Sequence, residues 1–125
     1  MPFFSVDVAA TVYPFMYFPE SIFIDLHKAD PDKANIGILL HEQVHLDRQI
    51  KHGVCWWNIK YIFSKEFRLA EELEAIKVQM AYMKENGLVY DIDRKAKQFN
   101  SSLYLWVLPE DKSKPILTEL WNSLG

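Results

Sequence analysis

At 125 residues the chain is about one domain long and can bury one modest core. Half of its residues are hydrophobic and 14% are aromatic, which argues for a packed globule and against disorder. The net charge of −3, with no long run of one sign, leaves no basic footprint, so nucleic acid is not an expected partner.

Cys55 is the only cysteine, so an intramolecular disulfide is excluded and a thiol-based metal cluster lacks its ligands. Beside Trp56 and Trp57 it reads as a small buried apolar residue. The opening MPFFSVDVAA has neither a basic n-region nor a continuous apolar h-region. No segment reaches the ~18 apolar residues of a membrane span. A cytoplasmic protein without a membrane partner is therefore expected.

Residues 3–12, 13–18 and 21–26 are rich in β-branched and aromatic side chains, with Pro14 and Pro19 as punctuation. They read as three short strands of one small antiparallel sheet. At Asp30-Pro31-Asp32 the pattern changes to a helix start, with Asp30 as N-cap and Pro31 at the first helical position. That helix should run to about Lys51 and stop at His52-Gly53. A longer helical stretch follows from about Trp57 to Lys84, with a candidate break near Ser64 and a stop at Asn86-Gly87. Residues 90–100 read as a third helix, 102–108 as extended, 109–114 as a loop and 115–124 as a short amphipathic helix. Strands first and helices afterwards, with no linker or repeat, predict one α+β domain over residues 1–125.

The first long helix carries His41-Glu42-Gln43-Val44-His45, an HExxH pattern. Imidazoles four residues apart lie about 40° apart around the helix and one turn apart along it, so both can grip one ion. Zinc suits imidazole nitrogen, and a catalytic site uses three protein ligands and leaves a fourth position for water. Glu42 is turned about 100° from His41, where it can serve as a general base and not as a ligand. Two faces of this helix are apolar or carry small residues, Ile36, Leu39, Leu46 and Ile50 on one, Ala34, Gly37 and Ile38 beside the histidines. Burial on both sides is therefore expected, with room beside the histidines for a strand or a substrate.

A third ligand must come from elsewhere. His52 lies about 10 Å beyond His45 along the helix, out of reach. Asp91 and Asp93 read as helix caps. On the next long stretch Ile62, Leu69, Leu73, Ile76, Met80 and Met83 form a core stripe. Glu72 falls at its edge, whereas Glu71 and Glu74 project away as solvated acids. A buried carboxylate needs compensation, which zinc or an ion pair with Arg68 one turn earlier would supply. Glu72 is the expected ligand and Glu74 the fallback.

With HExxH on one helix and Arg68-Leu-Ala-Glu-Glu-Leu-Glu-Ala75 on a following one, the chain resembles the gluzincin peptidases. In scale it is similar to the minigluzincins and to small phage and bacterial metallopeptidase-like proteins. The resemblance covers roughly residues 21–83. It implies a zincin-like fold, a Zn2+ ion held by His41, His45 and Glu72, and hydrolysis of a peptide or protein substrate with Glu42 as base. The Asp that some gluzincins place four residues after the ligand Glu is Ile76 here, so support for the ligands must come from other residues. Tyr61, Tyr82, Tyr90, Tyr104 and His52 are candidate donors to the developing oxyanion. Residues 21–26 could be an edge strand for an extended substrate. Two rival readings stay open. One is a zinc-binding zincin-fold regulatory or interaction protein, in which residues 115–121 could cover the cleft or equally pack on the core or on a partner subunit. The other is a helical structural domain with an accidental HExxH.

Overall fold

The computed structural model of the protein describes residues 9–101 and 108–125. Its elements are β1 (Ala10–Val12), β2 (Phe15–Tyr17), α1 (Glu20–Leu26), α2 (Lys33–His52), α3 (Val54–Phe63), α4 (Lys65–Glu85), α5 (Ile92–Phe99) and α6 (Glu110–Ser123). β1 and β2 form an antiparallel hairpin in which Ala10 faces Tyr17 and Val12 faces Phe15. Among the described residues this is a mostly helical arrangement with one small antiparallel sheet, compatible with the α+β class.

Three boundaries differ from the sequence expectation. The expected strand at residues 21–26 is helix α1, so it offers no edge to a substrate. Its alternating apolar residues fit either element over so short a span, and a tertiary contact decides. From α1, Asp25 accepts hydrogen bonds from the Asp32 amide at 2.8 Å and the Asn35 side chain at 2.9 Å, tying α1 to the start of α2. The N-cap of α2 is accordingly Asp32, which accepts from the Ala34 amide, and not Asp30. The expected loop at 109–114 is instead the start of α6. Glu110 and Asp111 complement the exposed amides of its first turn, and Lys114 pairs with Glu110 at 3.5 Å. The extended reading of 102–108 and the part of the first strand before residue 9 lie outside the described residues, Leu108 apart.

Other boundaries follow local chemistry. α2 ends at His52 because Gly53 takes φ +89°, a conformation that favours glycine. The break near Ser64 is real: α3 stops there, and the Ser64 hydroxyl caps α4 by accepting from the Phe67 amide at 3.1 Å. Asp91 caps α5 by accepting from the Arg94 amide at 3.0 Å, whereas Asp93 pairs with Lys114.

The core gathers Ile76, Met80 and Met83 of α4 with Ala96 and Phe99 of α5, Leu117 of α6, and Tyr90. Leu69 and Leu73 pack at its margin, but Ile62 is exposed because it belongs to α3, a separate helix whose buried residues are Trp57 and Tyr61. α6 packs on α5 and α4. A second face of α4 lies against α2, and this pair positions the site. Gly37 meets Gln79 and Met83, with 3.4 Å between their Cγ atoms and an added Cβ, so a small residue lets the helices come close. At Gly37 the space beside the histidines is thus filled by a helix, while Ala34 and Ile38 line an open cleft. The buried residues of α2 are Gly37, His41 and His45 toward α4 and α3, and Glu42 and Gln49 toward the hairpin, while Ile50 is exposed. No helix of the described residues is long and apolar enough to cross a membrane.

Candidate metal centre

His41 and His45 project from α2 at helical i, i+4 spacing, and both are buried. Glu72 comes to them from α4, also buried. His41 Nε2 lies 3.1 Å from Glu72 Oε2, His45 Nε2 lies 3.2 Å from Glu72 Oε1, and the two imidazole nitrogens are 3.2 Å apart. Donor atoms about 2.0–2.1 Å from a tetrahedral ion are separated by roughly 3.3 Å, so the triangle of His41, His45 and Glu72 has edges of about that length, with the carboxylate offering a different oxygen to each imidazole.

The hydrogen bonds around the triangle argue in the same direction. His41 Nδ1 lies 2.9 Å from Gln79 Oε1, an acceptor, so Nδ1 carries the hydrogen. His41 Nε2 then faces a carboxylate oxygen and a second imidazole. Atoms of these kinds at such distances need a shared hydrogen or a metal cation between them. Burial would push the His45 imidazole down, but the Glu72 carboxylate outweighs it, with Glu42 and Glu71 adding to the effect, and its pKa is raised to about 9. For Glu72, burial would raise the carboxyl. The His45 charge and the hydrogen bonds from both imidazoles hold it well below the usual carboxylate range.

Support for the carboxylate comes from α3. Tyr61 donates its hydroxyl to Glu72 Oε1 at 2.6 Å and stacks on Trp57 with ring centroids 4.9 Å apart. Trp57 also meets the His45 ring edge-on, so α3 walls the histidine side of the cluster. Arg68 does not pair with Glu72. Its Nη1 donates to the main-chain oxygens of Tyr61 and Ile62, at 2.7 Å each, fastening the end of α3 over the site.

Glu42 is buried beside the triangle but held differently. Its Oε1 accepts from the Thr11 hydroxyl at 2.9 Å, and its Oε2 is 3.8 Å from His41 Nε2. The hairpin that supplies Thr11 is clipped to α2 by Gln49, whose amide donates to Thr11 O at 3.0 Å and accepts from the Tyr13 amide at 2.8 Å. Ligand-type atoms of His41, Glu42 and His45 fall within 4.8 Å of one another, so this buried trio could hold a metal by itself. Between Glu42 and Glu72 as a third donor, the distances favour Glu72, which touches both imidazoles, while Glu42 is engaged by Thr11.

The neighbouring acids correct the sequence reading in one respect. Glu74 is solvent-exposed as expected, but Glu71 is buried and forms a two-pronged pair with Arg48, with Nη2 to Oε1 at 2.9 Å and Nε to Oε2 shorter still. Cys55 is exposed, not buried, because α3 turns Trp57 and Tyr61 inward instead.

A cleft of ≈ 420 Å³ opens over His41 and Glu42, with Gln79 on one side and Tyr90, Arg94 and Lys95 on the other. None of its lining residues belongs to α6, so residues 115–121 do not cover it. Of the oxyanion candidates, Tyr61 is engaged by Glu72, His52 is exposed at the end of α2, Tyr82 does not line the cleft, and Tyr104 lies outside the described residues. Tyr90 does line it. Its hydroxyl is buried without a hydrogen-bond partner among the described residues, and burial, with the charges of Glu72 and Asp91, pushes its pKa up. Lys95 is a cleft cation that sequence reasoning missed. Burial lowers its pKa, partly offset by Glu72 and Glu42. Gln79, seven residues past Glu72 on the same helix face, was detectable from spacing, whereas Thr11 and Gln49 carry no local signal. No family model, curated protein or solved structure matches this chain.

Proposed function

We propose that this chain is a zinc-dependent metallopeptidase of gluzincin type with a zincin-like fold, in which His41, His45 and Glu72 hold the ion. The observation that carries the reading is the buried triangle of His41, His45 and Glu72, with facing atoms 3.1–3.2 Å apart, contributed by two helices and locked from behind by Gln79 and Tyr61. Partners to the ligating groups of this kind orient ligands and raise their basicity. When bound, zinc supplies Lewis acidity that lowers the pKa of a water and polarises a carbonyl.

The chain's own groups do the rest. Glu42, aimed by Thr11 and lining the cleft, takes the proton of the attacking water and delivers it to the leaving amine. Tyr90, kept protonated by its raised pKa, donates a hydrogen bond to the charge developing on the scissile carbonyl oxygen. The substrate is a peptide or protein segment lying in the cleft between α2 and α5.

The test has two parts. Metal analysis of protein purified without added metal should find one zinc ion per chain, and an unbiased peptide pool should be cleaved. Zinc without cleavage would favour the alternative, a zinc-binding regulatory or interaction protein. Failure to take up zinc would leave the triangle held by shared hydrogens, and the site would then be a buried hydrogen-bonded cluster.

A further inference from the structure

α3 is apolar on both sides but uses only one of them. Its inner face puts Trp57 and Tyr61 over the metal cluster. Its outer face leaves Trp56 57% exposed, Ile59 48% and Phe63 83%. Ile62 and, one turn before the α2–α3 junction, Ile50 are exposed as well. Exposed large hydrophobic side chains so concentrated mark an interaction surface.

Lysines outnumber acids around this face, where Asp47 and Glu66 are the flanking exposed acids. Residues 50–65 contain Lys51, Lys60, Lys65 and His52 and no acid, in a chain whose overall charge is −3. Lys60 lies over the Trp56 ring, 5.1 Å from its centroid, so the ammonium sits at the edge of the apolar face. A second copy of the chain is a poor occupant, because a two-fold pairing would bring each lysine rim against its own image. An aromatic and aliphatic face edged by Lys60, with Lys51 and Lys65 flanking α3 in the sequence, matches an anionic lipid surface, where Trp and Phe enter the headgroup boundary and the ammonium groups meet phosphates. The lack of a membrane-spanning helix among the described residues bears on crossing a bilayer and not on lying against one.

We infer that the outer face of α3 docks this protein onto anionic membrane surfaces. The inference is independent of the metal and of peptidase activity. The full chain is sedimented with extruded vesicles of phosphatidylcholine alone and of phosphatidylcholine with phosphatidylglycerol, at low and at physiological salt. Binding to the anionic vesicles should be at least tenfold stronger, should weaken with salt, and should shift tryptophan emission to the blue. The paired change Trp56→Ser and Phe63→Ser should reduce it at least tenfold. Replacing Lys51, Lys60 and Lys65 together by Gln should cost about a hundredfold, at roughly fivefold per lysine. These positions are at the surface, and near-ultraviolet circular dichroism checks that the fold is kept. No binding at low salt, equal binding to both vesicle types, or indifference to both sets of substitutions would overturn the inference. So would a concentration-dependent dimer abolished by the Trp56 and Phe63 changes, which would assign the face to a second copy.

Discussion

Tyr61 donates to Glu72 Oε1 across 2.6 Å, although the two residues sit on different helices separated by a break at Ser64. The bond uses one carboxylate lone pair and leaves Glu72 facing both imidazoles, which fixes the carboxylate plane relative to His41 and His45. The break is therefore functional in the proposed site. A continuous helix from 54 to 85 would carry Tyr61 away along its axis, about 16 Å from Glu72 at 1.5 Å per residue.

Tyr61→Phe tests this directly. Removing only the hydroxyl keeps the stack on Trp57 and the packing of α3. Zinc affinity should fall about ten- to a hundredfold, the usual cost of losing a partner that orients a metal ligand. Competition with a chelator of known affinity measures it. An affinity unchanged within twofold would mean that Tyr61 packs against the site without orienting it.

The three acids of α4 should separate into three behaviours. Glu72→Gln should abolish tight zinc binding. Glu71→Gln should leave zinc in place and lower stability by about 1–3 kcal/mol, because it replaces a buried charge-assisted pair to Arg48 by a weaker one. The partial exposure of Arg48 keeps the cost from being larger, since water can reach the guanidinium. Glu74→Gln, at the surface, should change neither. Denaturant unfolding and metal analysis read both quantities on the same samples. Zinc lost equally from all three would show a general charge effect and remove Glu72 from the ligand set.

How much of this was legible before the structure depends on the range of the deciding interaction. The histidine pair and the end of α2 at Gly53 are local, set by helical spacing and by one backbone conformation, and both could be read from the sequence. Glu72 could be singled out because an acid at the edge of an apolar stripe asks for a partner. The identity of α1 could not be read, since Ile22, Ile24 and Leu26 satisfy a strand alternation and a short helix alike. Only Asp25 reaching Asp32 and Asn35 marks it as the brace of α2. Glu71 was misread for the same reason: its burial is decided by Arg48, which lies 23 residues away on another helix. The Thr11 contact to Glu42 spans 31 residues and depends on the hairpin being clipped down by Gln49, which no periodicity encodes.

Gly37 should tolerate a methyl group and nothing larger. A Cβ there would stand 3.4 Å from side-chain atoms of Gln79 and Met83, ordinary contact with flexible neighbours. Ala also restores about 1 kcal/mol of helix propensity, so Gly37→Ala should be neutral or mildly stabilising with zinc retained. Gly37→Leu must push α2 away from α4, costing about 1–3 kcal/mol by overpacking. It also separates His41 from Gln79 and Glu72, so zinc affinity should drop with stability. Thermal melting with and without chelator distinguishes the two. Leu tolerated at full zinc affinity would mean that close approach of these helices does not set the site.

The final prediction concerns Glu42, whose position sets proton transfer apart from metal holding. His41 and His45 lie on the same helix, but Glu42 takes its orientation from the hairpin through Thr11, and its Oε2 stands 3.8 Å from His41 Nε2. Glu42→Gln keeps the shape and a carbonyl acceptor for the Thr11 hydroxyl while removing the base. Peptide hydrolysis should fall about a hundred- to ten-thousandfold, the range for losing a general base, with zinc content and melting temperature close to the parent. Thr11→Val leaves the carboxylate in place but unanchored. Its activity should fall about ten- to a hundredfold, as expected for a misaimed reacting group, again with zinc retained. Because Thr11 acts only through Glu42, the double variant should be no slower than Glu42→Gln alone, a non-additivity that a double-mutant cycle measures. Fully additive losses would show that Thr11 serves the reaction by another route. Hydrolysis undiminished in Glu42→Gln would remove Glu42 from the chemistry altogether.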